Sequence, residues 1–208
     1  MMAVSALGDG SQRTVVTVLV ALYLLWRRRW RWALAVVLAM VGAAIATPAF
    51  KTLFHVARPS ALYAGADAFS FPSGHASSAA ALYLTLAWMG ARSLPRRQRL
   101  LIWTPAVAIV LATMVSRVYV GAHWPSDVVA GAMLGAALAS LAITVAAAAP
   151  PPSPAMRPAW DGPAFVAALV LTAVLLGPTA FAKAQRLYAP YLRAGPTPRE
   201  AISPQSAP

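Results

Sequence analysis

Residues 32–50 form a stretch of 19 residues without a charged side chain, and runs of this kind recur along the chain. As a helix, such a run covers roughly 28 Å, close to the ~30 Å hydrocarbon core of a bilayer. Six apolar stretches can be read: 14–26, 32–50, one from just after Pro72 to about Ala91, 100–116, 128–149 and 163–182. None alternates as a half-buried strand would, so the expected fold class is all-α, a polytopic membrane helical bundle of about six transmembrane helices. The first stretch has only 13 residues and covers ~20 Å. It extends back toward Ser11 across Arg13, whose guanidinium can snorkel toward the interface.

Composition supports this reading. Of the 208 residues 60% are hydrophobic and 11% charged, whereas an average soluble domain is about a quarter charged, so a cytosolic globule is excluded. Cysteine is absent, which excludes disulfide frameworks, thiolate metal sites and cysteine nucleophiles. The net charge is +12. In a soluble domain that excess would suggest nucleic acid. Here the cations lie in clusters between apolar runs, so membrane topology and anionic headgroups are the expectation, with no nucleic-acid partner.

Alternate loops hold nine and eight of the basic residues, a near balance. The compact clusters Arg27, Arg28, Arg29, Arg31 and Arg92, Arg96, Arg97, Arg99 nevertheless share one side, with Trp26, Trp30 and Trp32 as interfacial anchors. The positive-inside rule places that side in the cytoplasm and loops 51–73 and 117–127 outside. No A-x-A-like site follows the first apolar run, so it reads as a retained span rather than a cleaved signal. Pro150, Pro151, Pro152 and Pro154 suggest a stiff connector, and the proline-rich tail a frayed end. Gly131 and Gly135 have the G-x-x-x-G spacing of close helix packing, with generic alanine-rich lipid packing an equal alternative.

The remaining polar chemistry falls at the outer ends of three spans. Lys51 and Arg58 are seven residues apart. If the second span stays helical up to Pro59, they share a face two turns apart. They then suit an external anion, or are simply two snorkelling cations. Phe71-Pro72-Ser73-Gly74-His75 reads as a helix start, where free N–H groups hold phosphate and His75 can supply a proton; a plain capping sequence is the alternative. Ser116-Arg117 is followed by His123-Trp124-Pro125-Ser126-Asp127. The four-residue spacing lets Asp127 orient the His123 ring and leave its other nitrogen as a nucleophile. Asp127 as an ordinary helix-entry cap is the alternative. Together, three cations, two histidines and one aspartate fit phosphoryl transfer through a phosphohistidine.

Lys51-(six residues)-Arg58-Pro59, Pro72-Ser73-Gly74-His75 and Ser116-Arg117-(five residues)-His123-(three residues)-Asp127 together resemble the three-part signature of type 2 phosphatidic acid phosphatases (PAP2). That superfamily includes bacterial undecaprenyl-diphosphate phosphatases and vanadium haloperoxidases. The resemblance implies a PAP2/haloperoxidase-like core at 32–149, preceded by an N-terminal segment (1–31) and followed by a connector with the last span (150–182) and a tail (183–208). It implies His123 as nucleophile, Asp127 as its orienting carboxylate and His75 as proton donor and acceptor. Lys51, Arg58, Arg117, Ser73 and the Gly74 N–H would bind phosphate, with no metal and no cofactor. His55 matches no fixed position and reads as interfacial, while Tyr63, Tyr119 and Trp124 line a mouth or join an aromatic belt. The implied activity is hydrolysis of a lipid phosphate or diphosphate at the outer face of a bacterial inner membrane. Undecaprenyl diphosphate is the preferred substrate and phosphatidate-type lipids come next. A phosphotransferase to another lipid and a non-enzymatic anion-binding transporter are the alternatives.

Overall fold

The computed structural model describes residues 10–59, 69–92, 94–119 and 121–148. Among these residues the chain forms five α-helices: α1 (Gly10–Trp26), α2 (Trp30–Phe54), α3 (Gly74–Ala91), α4 (Arg96–Tyr119) and α5 (Pro125–Ala148). They correspond to the first five apolar stretches. The sixth, 163–182, lies outside the described residues, as do the proline-rich connector and the tail. By length and composition α2, α4 and α5 suffice to cross a membrane, and α1 is a shorter apolar helix.

Local chemistry explains the helix ends. Ser73 caps α3 from an extended backbone (φ −72°, ψ 113°), its side chain accepting from the Ala76 N–H. Pro125 opens α5, a position where its missing N–H costs nothing. One expectation fails here. The second span does not continue to Arg58: α2 ends at Phe54, and His55 takes a left-handed conformation (φ 50°, ψ 31°) that closes it with an N–H bond to Lys51 O. Beyond it the chain is extended, and Ala57 pairs with Phe69 in an isolated antiparallel bridge. Lys51 and Arg58 therefore lie on a helix end and on a strand-like return, not on one helical face.

α3 is the central helix, contacted by α1, α2, α4 and α5, and most extensively by α5. The interior has two parts: a cluster of large side chains (Val20, Leu24, Val36, Leu82, Leu86, Met89) and a stretch of small ones (Ala35, Ala39, Ala43, Ala81, Ala142, Ala146), while Leu22, Leu25, Ile45, Leu111, Met133 and Leu141 face outward. Lipid gives helices no hydrophobic reason to associate, so close backbone approach and packing must hold them together. Two buried hydroxyls of α3 are satisfied by carbonyls one turn back: Ser77 Oγ donates to Ser73 O (3.0 Å) and Thr85 Oγ1 to Ala81 O (2.6 Å). Consecutive helices run in opposite directions. At one end Arg31 donates to the carbonyls of Ala146 and Ala147 that close α5, and the Arg92 guanidinium lies 4.3 Å from the Trp32 ring centroid. The opposite end gathers the start of α3, the end of α4 and the start of α5.

The G-x-x-x-G spacing serves the α3–α5 contact. A Cβ on Gly135 would lie 2.1 Å from Ser77 O, and one on Gly131 would lie 2.5 Å from Ser73 O. Both obstacles are backbone atoms that side-chain rotation cannot clear. A Cβ on Gly42 would instead meet the flexible tip of Leu138, at 2.9 Å. Gly135→Ala is therefore expected to cost about 1–3 kcal/mol and to lower the unfolding temperature in detergent, while Gly42→Ala changes it little. Equal stability of the two variants would refute an obligatory close approach at Gly135.

Candidate active site

The turn between α4 and α5, residues 121–124, is built around one carboxylate. Asp127, in the first turn of α5, accepts the Trp124 N–H on Oδ2 at 2.8 Å, and its own carbonyl accepts the Ser73 N–H at 2.9 Å. The first bond folds the loop onto the start of α5; the second ties that start to the cap of α3. The same Oδ2 lies 3.5 Å from His123 Nδ1. Asp127 is thus a helix-entry cap and the neighbour of the imidazole at once, which unites the two alternatives its spacing left open. Asp127 is 1% exposed and His123 4%.

On its other side His123 faces cations. Arg58 Nη1 lies 3.3 Å from His123 Nε2 and donates to Ala122 O at 2.8 Å. Guanidinium has no acceptor, so Nε2 presents its lone pair and the ring proton belongs on Nδ1, toward Asp127. Burial first, then the charges of Arg58, Lys51 and Arg117, lower the His123 pKa to about 3, with the Ser70 backbone acting in the opposite direction. His123 lies in the loop between α4 and α5 and is neutral at ordinary pH.

His75, in the first turn of α3, is half-buried, and its Nε2 lies 3.5 Å from Arg117 Nη1. Arg58 and Arg117 both act electrostatically on both imidazoles, and His123 acts on His75. The rings therefore share one cradle. Lys51, in the last turn of α2, donates from Nζ to Phe69 O at 2.7 Å. Ser73 is fully buried at the α3 start, and Gly74 adjoins it with Thr47 Cγ2 3.2 Å from where a Cβ would stand. The first-turn amides of α3 have no carbonyl behind them, as at any helix start. All eight residues singled out in the sequence thus lie at one end of the bundle.

Arg117 shows what the cradle lacks. It is 5% exposed, and its Nε and Nη2 are buried with no hydrogen-bond partner among the described residues. A buried guanidinium with idle donors is costly unless an anion completes it. Ser116 Oγ, His123 Nδ1 and Asp127 Oδ1 are likewise buried without a hydrogen bond. Among the described residues donors outnumber acceptors around the cradle, and the one carboxylate there, Asp127, is engaged behind His123. The arrangement suits an incoming oxyanion held beside two imidazoles.

Other residues fall differently. His55 is exposed, closes α2 and sets its ring edge-on to Phe69, with centroids 4.6 Å apart. Tyr119 is exposed. Trp124 Nε1 donates to Ala57 O at 3.0 Å, which ties the loop after α4 to the return strand after α2. Tyr63 lies outside the described residues. Sequence reasoning missed two residues. Ser70 is fully buried and donates to Val56 O and Ala57 O (3.1 and 3.2 Å), bracing the return strand beside His123. Arg13 does not snorkel outward: it is 6% exposed, and its Nη1 donates to His75 O at 2.8 Å. A charge inside an apolar helix was the signal that marked it.

The chain is similar to several known proteins. It is 37% identical over 71 residues to phosphatidylglycerophosphatase B of Bacillus subtilis (strain 168), covering 33% of this chain and 35% of that protein. It is 34% identical over 84 residues to the undecaprenyl-diphosphatase of Sulfolobus acidocaldarius, covering 39% of this chain and 36% of that protein. The chain thus spans about a third of the length of these two relatives. The crystal structure of a transmembrane PAP2-type phosphatidylglycerolphosphate phosphatase from Bacillus subtilis superposes with a TM-score of 0.60 at 26% identity, covering 68% of this chain and 72% of that one. The family model described as the PAP2 superfamily matches residues 32–150, more than half of the chain and every element that builds the cradle, and the chain belongs to that superfamily.

Proposed function

We propose that the chain is a membrane-embedded hydrolase of lipid phosphates or diphosphates that works through a phosphohistidine on His123. The observation that carries this reading is the buried Arg117 guanidinium with idle Nε and Nη2 donors, next to a neutral His123 whose Nε2 lone pair faces the cradle. Lys51, Arg58 and Arg117 hold the non-bridging oxygens, with Ser73 and the Gly74 N–H at the helix start. His123 Nε2 attacks phosphorus, and the P–O bond to the lipid breaks with its electron pair going to the leaving oxygen. That oxygen takes a proton from His75. Asp127 stabilises the imidazolium through Oδ2, which lies 3.5 Å from Nδ1. Water then attacks the phosphohistidine and gives a proton to His75; the P–N bond breaks and its pair returns to Nε2. Positioning and fixed positive charge supply most of the acceleration in such a transfer.

Relatives named for phosphatidylglycerophosphate and for undecaprenyl diphosphate support a lipid headgroup as substrate. Our preference is undecaprenyl diphosphate, with phosphatidate-type lipids next. The arginine clusters at the far end of the bundle favour a cradle on the outer face of a bacterial inner membrane. We take 163–182 as the sixth span and 1–31, 32–149, 150–182 and 183–208 as the units of the chain.

The purified full-length protein in detergent, given short-chain lipid phosphates and diphosphates, should keep its turnover in EDTA. His123→Ala should lower kcat by on the order of 10³-fold or more and abolish an acid-labile, base-stable phosphoenzyme trapped by rapid quenching. Turnover that persists in His123→Ala, or collapses on chelation, contradicts the mechanism. Label passing to a second lipid instead of free phosphate would mark a phosphotransferase.

The low His123 pKa yields a separate expectation. An unperturbed histidine titrates near about 6.5, whereas His123, lowered to about 3, stays neutral from pH 8 to pH 5. In the unfolded chain it binds a proton over that window, so its contribution to stability is complete above the unfolded pKa and declines as pH falls toward the folded one. ¹⁵N-histidine NMR of the protein in micelles should show a non-titrating His123 ring across pH 5–8. A midpoint near 6.5 would contradict the buried, cation-flanked geometry.

A further inference from the structure

α1 lies outside residues 32–150, which the family model matches. Most of its large side chains point away from the bundle: Val15, Val18, Leu19, Leu22 and Leu25 are all exposed. If α1 only anchored the chain, an apolar residue would serve at every inward position. Position 13 instead buries a guanidinium, and burial of that group demands a compensating partner. One such partner is the carbonyl oxygen of His75, which Nη1 reaches at 2.8 Å across 62 residues of sequence.

That carbonyl belongs to the residue whose ring faces the cradle. The His75 Cα is fixed at a helix start, where the chain enters from a loop and the backbone is least restrained. A charge-assisted bond to its own carbonyl restrains it there. His75 Nε2 meets Arg117 Nη1 at 3.5 Å, so a small rotation of the first turn of α3 would carry the ring out of reach of a bound phosphate. Proton transfer needs heavy atoms within about 2.6–3.2 Å of each other, and misplacement by an ångström costs large factors in rate.

We infer that Arg13 is a positioning residue for the reaction: its hydrogen bond to the His75 carbonyl sets the ring of His75 for proton transfer to the leaving oxygen. This rests on the proposed phosphatase reading, in which His75 is the acid. An element outside the matched core thereby bears on both proton transfers of His75, of which only the first depends on the leaving group. An alkoxide must be protonated as it departs, whereas p-nitrophenolate leaves as an anion and needs no acid.

The test compares the rate of leaving-group release in the first turnover, before water attacks the phosphohistidine, for dioctanoyl phosphatidate and for p-nitrophenyl phosphate on the same preparation; the ratio cancels any loss of folded enzyme, and the later role of His75 as base does not enter. The proteins are the full-length wild type, Arg13→Gln, Arg13→Lys and His75→Asn. Arg13→Gln should lose about 10-fold or more in that first-turnover rate on the phosphatidate with KM changed less than about 2-fold, and lose under about 2-fold on the aryl phosphate. Arg13→Lys, which keeps a cationic donor, should fall between wild type and Arg13→Gln. It also carries the comparison alone should Arg13→Gln fail to fold. His75→Asn should show the same substrate dependence, larger in size. Equal losses on both substrates in the Arg13 variants, or a change confined to KM, would overturn the inference while a selective His75→Asn leaves the phosphatase reading standing. A His75→Asn enzyme with no leaving-group selectivity would remove the acid role itself, and the inference with it.

Discussion

The close approach of α3 and α5 is the contact on which the remaining geometry rests. Two glycines bring the backbones together where any side chain would strike Ser73 or Ser77 carbonyls. The Ser73 N–H then reaches Asp127 O, so the first turns of the two helices become one unit. His75 rides on one of these turns and His123 hangs from the other through the Asp127 cap. In a lipid medium this proximity cannot come from excluding water; it comes from small residues and satisfied backbone groups. The buried alanines of α2, α3 and α5 (Ala35, Ala39, Ala43, Ala81, Ala142, Ala146) extend the same solution along these helices.

Onto this unit the other elements deliver charge. α4 brings Arg117, the end of α2 brings Lys51, the return strand brings Arg58, and α1 brings Arg13. Several cations close together in a medium of low polarity repel one another and lack water. Backbone carbonyls absorb part of that cost: Phe69 O for Lys51, Ala122 O for Arg58 and His75 O for Arg13. Arg117 is the exception, with two buried donor atoms idle. The fold thus holds cations in place at the expense of its own stability, the arrangement expected where an anionic group must be met with little reorganisation. The same charges keep His123 neutral, so the field suited to an anion also leaves an imidazole nitrogen unprotonated beside it.

Much of this was legible in the residues. Uncharged runs located all five described helices, because lipid tolerates few unsatisfied or charged groups and the runs must be long. The helix starts at Ser73 and Pro125 were readable from capping chemistry alone. Other features were not. Seven-residue spacing placed Lys51 and Arg58 on one helical face, yet His55 turns left-handed and breaks the helix between them; an exposed histidine carries no mark of that conformation in sequence. Arg13 read as a snorkelling charge because its distance from His75 is 62 residues along the chain and only a hydrogen bond in space. Ser70 gave no signal, since its hydroxyl matters through carbonyls supplied by the return strand.

The division follows from the range of the forces. Hydropathy, helix length, capping and the spacing of His123 from Asp127 are local quantities, so the amino-acid sequence alone determined the helical class, the helices between 10 and 148 and which polar residues meet at one end of the bundle. Which lone pair of His123 faces the cations, which guanidinium is left wanting an anion and which helix braces His75 depend on contacts between segments far apart in the chain. Those were decided only when α1, α2 and α4 packed around the α3–α5 pair, because hydrogen-bond direction and burial exist only once distant elements share a common space.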